Sequence, residues 1–164
     1  MHKTKLILIG ETQTGKTSII NRIIRNEFYE VVGSTLGKTQ NDYKVELKDG
    51  QEVVFDVWDT AGQEKYRSIN KLFYSDANIA ILVYDITRKE TFDEIRNYWY
   101  QQVVDNSPKN IQMVIVGNKS DLYEYQDISS EEVKKFAEQF NASVFETSAK
   151  TAVGVDVSFF IYYF

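Results

Sequence analysis

The run Gly10-Glu11-Thr12-Gln13-Thr14-Gly15-Lys16-Thr17 constrains this chain more than any other stretch. Its spacing is Gly-x-x-x-x-Gly-Lys-Ser/Thr, which is the pattern of a phosphate-binding P-loop. Lys5-Leu6-Ile7-Leu8-Ile9 before it reads as a buried strand. Ser18-Ile19-Ile20-Asn21-Arg22-Ile23-Ile24 after it carries apolar residues at helical spacing. Strand, loop and helix in that order are the context the motif needs. Glycines without a Cβ let the backbone turn sharply and approach a polyphosphate. Successive N–H groups and the positive end of the helix then face the anion. In that arrangement Lys16 reaches the β- and γ-phosphates, and the Thr17 hydroxyl binds Mg²⁺.

The rest of the chain alternates strand and helix patterns. Residues 25–38 have no clean period, contain Gly33, Ser34 and Gly37, and read as an unusually long loop. Residues 40–48 alternate, with Tyr43, Val45 and Leu47 against Asp42, Lys44 and Glu46. Asp49-Gly50 is a hairpin turn signal, and residues 51–58 return with Val53, Phe55 and Val57 on one face. Ile79-Ala80-Ile81-Leu82-Val83-Tyr84 is apolar throughout, as in a strand covered on both faces. A helix opened by Thr91 or Asp93 follows and runs to Asn106, with Pro108 beyond it. Ile111-Gln112-Met113-Val114-Ile115-Val116 is another buried strand. Ser129-Ser130-Glu131-Glu132 opens a helix that reaches Phe140. Ser143-Val144-Phe145-Glu146 is a short strand. The sum is an α/β fold: a mostly parallel sheet with helices on both faces and an early antiparallel pair. Ligands of such sheets bind at the carboxyl ends of the strands.

Composition sets outer limits. The 164 residues suffice for one domain with a proper core. A net charge of −5 argues against a nucleic-acid-binding surface. There is no cysteine, which excludes a disulfide framework, a zinc–thiolate site, a cysteine nucleophile and a prenylation site in this chain. Met1-His2-Lys3-Thr4 leads straight into a strand and leaves no room for a signal peptide. No apolar run approaches the ~20 residues of a membrane span.

Further short motifs follow the predicted strands. In Asp59-Thr60-Ala61-Gly62-Gln63-Glu64 the acid holds Mg²⁺ directly or through water. Gly62 places an N–H against a γ-phosphate, and Gln63 has the donors and acceptor to orient a water. In Asn118-Lys119-Ser120-Asp121 the Asp121 carboxylate accepts from two N–H groups on one edge of guanine, a pair adenine lacks. The Lys119 stem lies over the base. Ser148-Ala149-Lys150 could offer backbone amides to the base oxygen, and Thr35 in the long loop could cap Mg²⁺ when a γ-phosphate is present, although each alone is an ordinary loop segment.

Taken together, these motifs make the chain similar to the Ras superfamily of small GTPases. Trp58-Asp59-Thr60-Ala61-Gly62-Gln63-Glu64-Lys65-Tyr66-Arg67-Ser68 most resembles the Rab branch. Tyr84-Asp85-Ile86-Thr87, Gly117-Asn118-Lys119-Ser120-Asp121-Leu122 and Glu146-Thr147-Ser148-Ala149-Lys150 agree with it. The resemblance implies a three-layer small G-protein fold with a six-stranded sheet, one antiparallel edge strand and about five helices. It implies a switch that hydrolyses GTP to GDP and phosphate, slowly without an activating protein, and that regulates vesicle traffic. Glu11, Thr12, Gln13, Thr14, Gly15, Lys16, Thr17, Ser18, Phe28, Thr35, Gly62, Asn118, Lys119, Asp121, Ser148, Ala149 and Lys150 would bind the nucleotide. Thr17, Thr35 and Asp59 would hold Mg²⁺, and Gln63, Lys16 and Thr35 would serve the hydrolysis. Release of the Thr35 and Gly62 loops on loss of the γ-phosphate is the switch. Exchange factors, activating proteins and effectors would bind those loops. No nucleic-acid partner is implied. The expected location is the cytoplasm, or the cytosolic face of vesicles and endomembranes if a lipidated tail exists.

The sequence departs from the Rab pattern in two places. Lys38-Thr39-Gln40 stands where an acidic and then an aromatic residue are expected, while Trp58 and Phe73 match the other two effector aromatics. The chain ends Phe159-Phe160-Ile161-Tyr162-Tyr163-Phe164, which reads as a final core helix cut short within a single domain spanning 1–164. Two other functions remain open at this level: a GTP- or GDP-holding interaction module with little hydrolysis, and a P-loop nucleotide kinase, which predicts a lid and adenine preference.

Overall fold

The computed structural model describes residues 3–30, 39–46, 50–60, 67 and 69–156. Through them run β1 (Lys3–Ile9), α1 (Lys16–Arg25), β2 (Thr39–Glu46), β3 (Glu52–Asp59), the single turn α2 (Lys71–Tyr74) and β4 (Ile79–Asp85). Then come α3 (Lys89–Glu94), α4 (Tyr100–Asn106), β5 (Gln112–Asn118), α5 (Ser130–Glu138) and β6 (Ser143–Glu146). A π-type turn, Ile95–Trp99, joins α3 to α4 without a break, and a 3₁₀ segment, Ser120–Tyr125, follows β5.

The strands form one sheet in the order β2-β3-β1-β4-β5-β6. All pairings are parallel except β2 with β3. The antiparallel strand is therefore at an edge, as expected from the hairpin signal.

The apolar run of β4 has a direct cause. Ala80, Leu82 and Tyr84 pack with Phe92, Ile95, Trp99, Val103 and Phe136 on the α3–α4–α5 side. Ile79, Ile81 and Val83 pack with Ile19 and Ile20 of α1 on the other. With period-two side chains and two covered faces, every position must be apolar. Each such Ile or Leu gains about 1.5–3 kcal/mol from burial. β2 and β3 cover only part of their surface, so polar residues alternate there: Asp42 and Lys44 are exposed and Val45 is buried.

Local signals set most element boundaries. The Ser129 side chain caps α5 by accepting from Glu132 N–H. α3 differs from the sequence expectation, because it begins at Lys89 rather than at Thr91 or Asp93. Its N-cap, Arg88, makes no side-chain cap. Thr91 instead turns inward, donating to the Arg88 carbonyl at 2.7 Å and accepting from Asp85 N–H at 2.9 Å. α5 ends at Glu138, short of Phe140. The expected C-terminal helix over 159–164 and the Asp49 turn position lie outside the described residues.

Candidate functional site

β1 ends at Ile9, and the phosphate-loop motif begins on the next residue. Gly15 has φ +94°, and a Cβ there would sit 2.2 Å from Asn118 Nδ2. Only glycine allows the loop to pass that close to the β5 end. Gly15 caps α1 without a side-chain acceptor, so no cap side chain covers the first-turn amides of α1. The Lys16 ammonium is buried and donates to the carbonyls of Gly10 at 3.0 Å and Glu11 at 2.7 Å. Thr14 Oγ1 also donates to the Glu11 carbonyl, at 2.9 Å.

Asp59 closes β3 beside this loop. It is 1% exposed and accepts from Thr17 Oγ1 at 2.5 Å. A hydroxyl and a carboxylate at one point suit Mg²⁺, which takes few protein ligands and fills its shell with phosphate oxygens and water. Among the described residues no group of three or more His, Cys, Asp or Glu forms a protein-only metal cage. The donor set thus fits a cation shared with a phosphate ligand.

The β5 and β6 ends interlock with the phosphate loop. Asn118 Nδ2 donates to the Thr14 carbonyl at 3.0 Å. Asn118 Oδ1 accepts from Thr147 Oγ1 at 3.2 Å and from Ala149 N–H at 3.3 Å. One buried side chain therefore fastens three loops. Lys119 donates to the Gln13 carbonyl at 2.9 Å. Lys119 and Gln13 both have left-handed backbone, φ +67° and +62°, a conformation that non-glycine residues keep only where surroundings impose it. Asp121 accepts from Ser148 Oγ at 2.6 Å, and Ser148 Oγ accepts from Thr151 N–H at 3.1 Å.

Some of the expected residues stand apart from this network. Phe28 is half-buried and packs against the α1-side core. Lys150 points outward to Glu30 at 3.0 Å, and both are exposed. Thr12 is partly exposed beside Gln13, and Ser18 lies in the first turn of α1. Thr35, Gly62 and Gln63 lie outside the described residues. Of the two effector-type aromatics, Phe73 is wholly buried, edge-on to the half-buried Trp58 at 6.2 Å. Phe73 therefore supports Trp58 from beneath rather than offering itself at the surface. Gln40 lies directly opposite Trp58 in the β2–β3 register.

Three residues that hold the site were not among the expected ones. Asp85, at the end of β4, is 1% exposed and pairs with Lys119 Nζ at 2.6 Å. Burial by itself raises the Asp85 carboxyl, but the Lys119 ammonium and the Thr87 N–H and hydroxyl outweigh it and hold it below its ordinary value. Thr147 fixes Asn118. Arg22 of α1 donates to the carbonyls of Ala149 at 2.8 Å and Lys150 at 3.0 Å. Asp85 and Thr147 sit inside the quoted motifs, so their place at strand ends was the available signal. Arg22 left none.

A model of the Ras family matches residues 5–163 of the chain. The chain is similar to the Ras-related protein Rab11A of Lotus japonicus, 39% identical over 155 residues, which cover 94% of this chain and 68% of the relative. It is similar to the Ras-related protein Rab-5B of Plasmodium falciparum (isolate 3D7), 39% identical over 157 residues, 96% of this chain and 74% of the relative. The Ras-related protein Rab-11A of Dictyostelium discoideum is 37% identical over 155 residues, 94% of this chain and 72% of the relative.

Proposed function

The chain belongs to the Ras family, and we propose a role for each of its site residues within the guanine-nucleotide switch that this membership makes it. It is a small GTPase of the Rab-like kind, hydrolysing GTP in vesicle traffic and working with regulators and effectors.

Residues 1–164 act as one GTPase domain. The α1 amides, Glu11 to Ser18 and the Lys16 ammonium take the phosphates. Lys16 exchanges its carbonyl partners for phosphate oxygens. Thr17, Asp59 and Thr35 would hold Mg²⁺, which would supply charge neutralisation for the transferred phosphoryl group. Gln63 orients the attacking water, and Gly62 meets the γ-phosphate. Asp121 takes the guanine edge, Lys119 and Phe28 flank the base, and Asn118, Ser148, Ala149 and Lys150 set its pocket. Exchange factors, activating proteins and effectors bind the Thr35 and Gly62 segments. The protein works in the cytoplasm, and at the cytosolic face of vesicles or endomembranes if the native protein carries a lipidated tail. None of the described helices is long and apolar enough to cross a membrane.

One observation supports this assignment: Asn118 and Lys119 bond to Thr14 and Gln13, so the two motifs, far apart in the chain, meet beyond the carboxyl ends of β1 and β5. Single-turnover GTP hydrolysis with wild type and Gln63→Leu tests it. Wild type hydrolyses slowly, and the variant is slower by about 10-fold or more. If both are equally inert, the residues hold nucleotide without turning it over.

A further inference from the structure

Between α3 and α4 the helix widens into the π-type turn Ile95–Trp99. Such turns are rare and concentrate at functional sites. This one turns Trp99 inward, 1% exposed, so that its indole N–H donates to Glu11 Oε1 at 2.8 Å. The two residues are 88 positions apart. Glu11 belongs to the phosphate-loop motif, where a carboxylate and a bound phosphate would repel one another. The indole gives that carboxylate an anchor on the helix. The Glu11 carbonyl meanwhile accepts from both Lys16 Nζ and Thr14 Oγ1. One residue thus connects a buried helix turn to the lysine of the loop.

We infer that Trp99 is a positioning residue for the phosphate loop: it holds Glu11, Glu11 holds Thr14, and the lifetime of bound guanine nucleotide depends on that anchoring, which stays in place when Lys16 turns to the phosphates. The inference rests on the guanine-nucleotide reading above. Trp99→Phe keeps an aromatic ring at the site and removes the donor together with part of the indole's volume. Glu11→Gln keeps an acceptor oxygen, and Glu11→Ala removes it.

The test is the dissociation rate of N-methylanthraniloyl-GDP from wild type, these three variants and the double variant Trp99→Phe/Glu11→Ala. Trp99→Phe and Glu11→Ala each release it about tenfold faster. The double variant is no faster than either single one, and Glu11→Gln, which keeps an acceptor for the indole, releases it more slowly than Glu11→Ala. Additive rates, or rates equal to wild type, overturn the inference, because a packing role for Trp99 would not couple to Glu11. Should Trp99→Phe fail to fold, Trp99 emission decides in a Trp58→Phe background. Emission then changes with Glu11→Ala more than with Glu11→Gln. Equal spectra overturn the inference. A wild type that does not retain the labelled nucleotide overturns the guanine reading itself, whereas retention with uncoupled variants overturns only the role of Trp99.

Discussion

At the proposed base end of the cleft, side chains are held by partners the ligand does not need. Asn118 spends both ends of its amide on Thr14, Thr147 and Ala149. Lys119 is fixed by Asp85 and by the Gln13 carbonyl. At the phosphate end, the atoms that would meet the ligand hold one another. Thr17 Oγ1 donates to Asp59, and Lys16 Nζ leans on two loop carbonyls. The first end is preorganised; the second must exchange partners on binding. Selectivity for the base should therefore respond steeply to single changes. Phosphate-end changes should act on lifetime and on hydrolysis.

The sharpest challenge to that contrast is Asp121→Asn. The carboxylate accepts from Ser148 Oγ and has further acceptor capacity for two N–H groups. An amide presents a donor to the same edge, so guanine is rejected and xanthine, with an oxygen in place of the amino group, is preferred. Relative affinity for GDP over xanthosine diphosphate should shift by about 10³-fold or more, read by competition against a labelled nucleotide. An unchanged preference would remove Asp121 from the base pocket and dissolve the difference between the two ends.

Gly15→Ala tests the seam between them. The new Cβ would meet Asn118 Nδ2 at 2.2 Å, and φ +94° strains any L side chain. Overpacking and backbone strain together should cost about 3 kcal/mol in denaturant unfolding and release nucleotide far faster. Near-wild-type behaviour would mean that Asn118 can leave Thr14 freely, and the base end would not be preorganised.

Much of this was legible before any coordinates, and the pattern of what was not is physical. The β4 run, the Ser129 cap and the Ser143–Glu146 strand follow from burial period and local capping, which neighbouring residues encode. The motifs at the ends of β1, β3, β5 and β6 follow from strand position. The α3 start was misplaced because Thr91, a good cap by type, is engaged with Asp85 instead. The Trp99–Glu11 and Arg22–Ala149 contacts join residues 88 and 127 positions apart. No local pattern carries them, and a π-type turn leaves no mark in apolar spacing. Thr35, Gly62 and Gln63 rest on their motif positions alone.

Asp85→Asn measures what holding Lys119 contributes. The folded-state carboxyl lies below its ordinary value, so its contribution is fully present above the unfolded pKa of about 3.9 and is lost as pH falls through the lower folded value. At pH 7 the variant should unfold about 2 kcal/mol more easily, less than a fully buried pair because the Lys119 side chain is 34% exposed. The difference should shrink once the pH drops below about 4. A difference that stays constant in denaturant titrations from pH 7 to pH 3 would show that Asp85 acts by shape alone.

The smallest effect is expected from Arg22→Ala, and it separates the two ends most cleanly. Among the described residues the Arg22 guanidinium donates to the carbonyls of Ala149, Lys150 and Asn26 and to the Asn26 side chain. Ala149 and Lys150 belong to the proposed base loop and Asn26 caps the far end of α1, so none is an atom that would meet phosphate. Losing these four hydrogen bonds, two of them to the Ala149–Lys150 loop, at a partly exposed site should cost about 1 kcal/mol, or about fivefold in dissociation rate. Because the loosened loop serves the base, GDP and GTP analogues should be released faster by the same factor. A loss that depends on the γ-phosphate would place Arg22 in the phosphate-end response, and the division between a preorganised end and an exchanging end would have to be redrawn through α1.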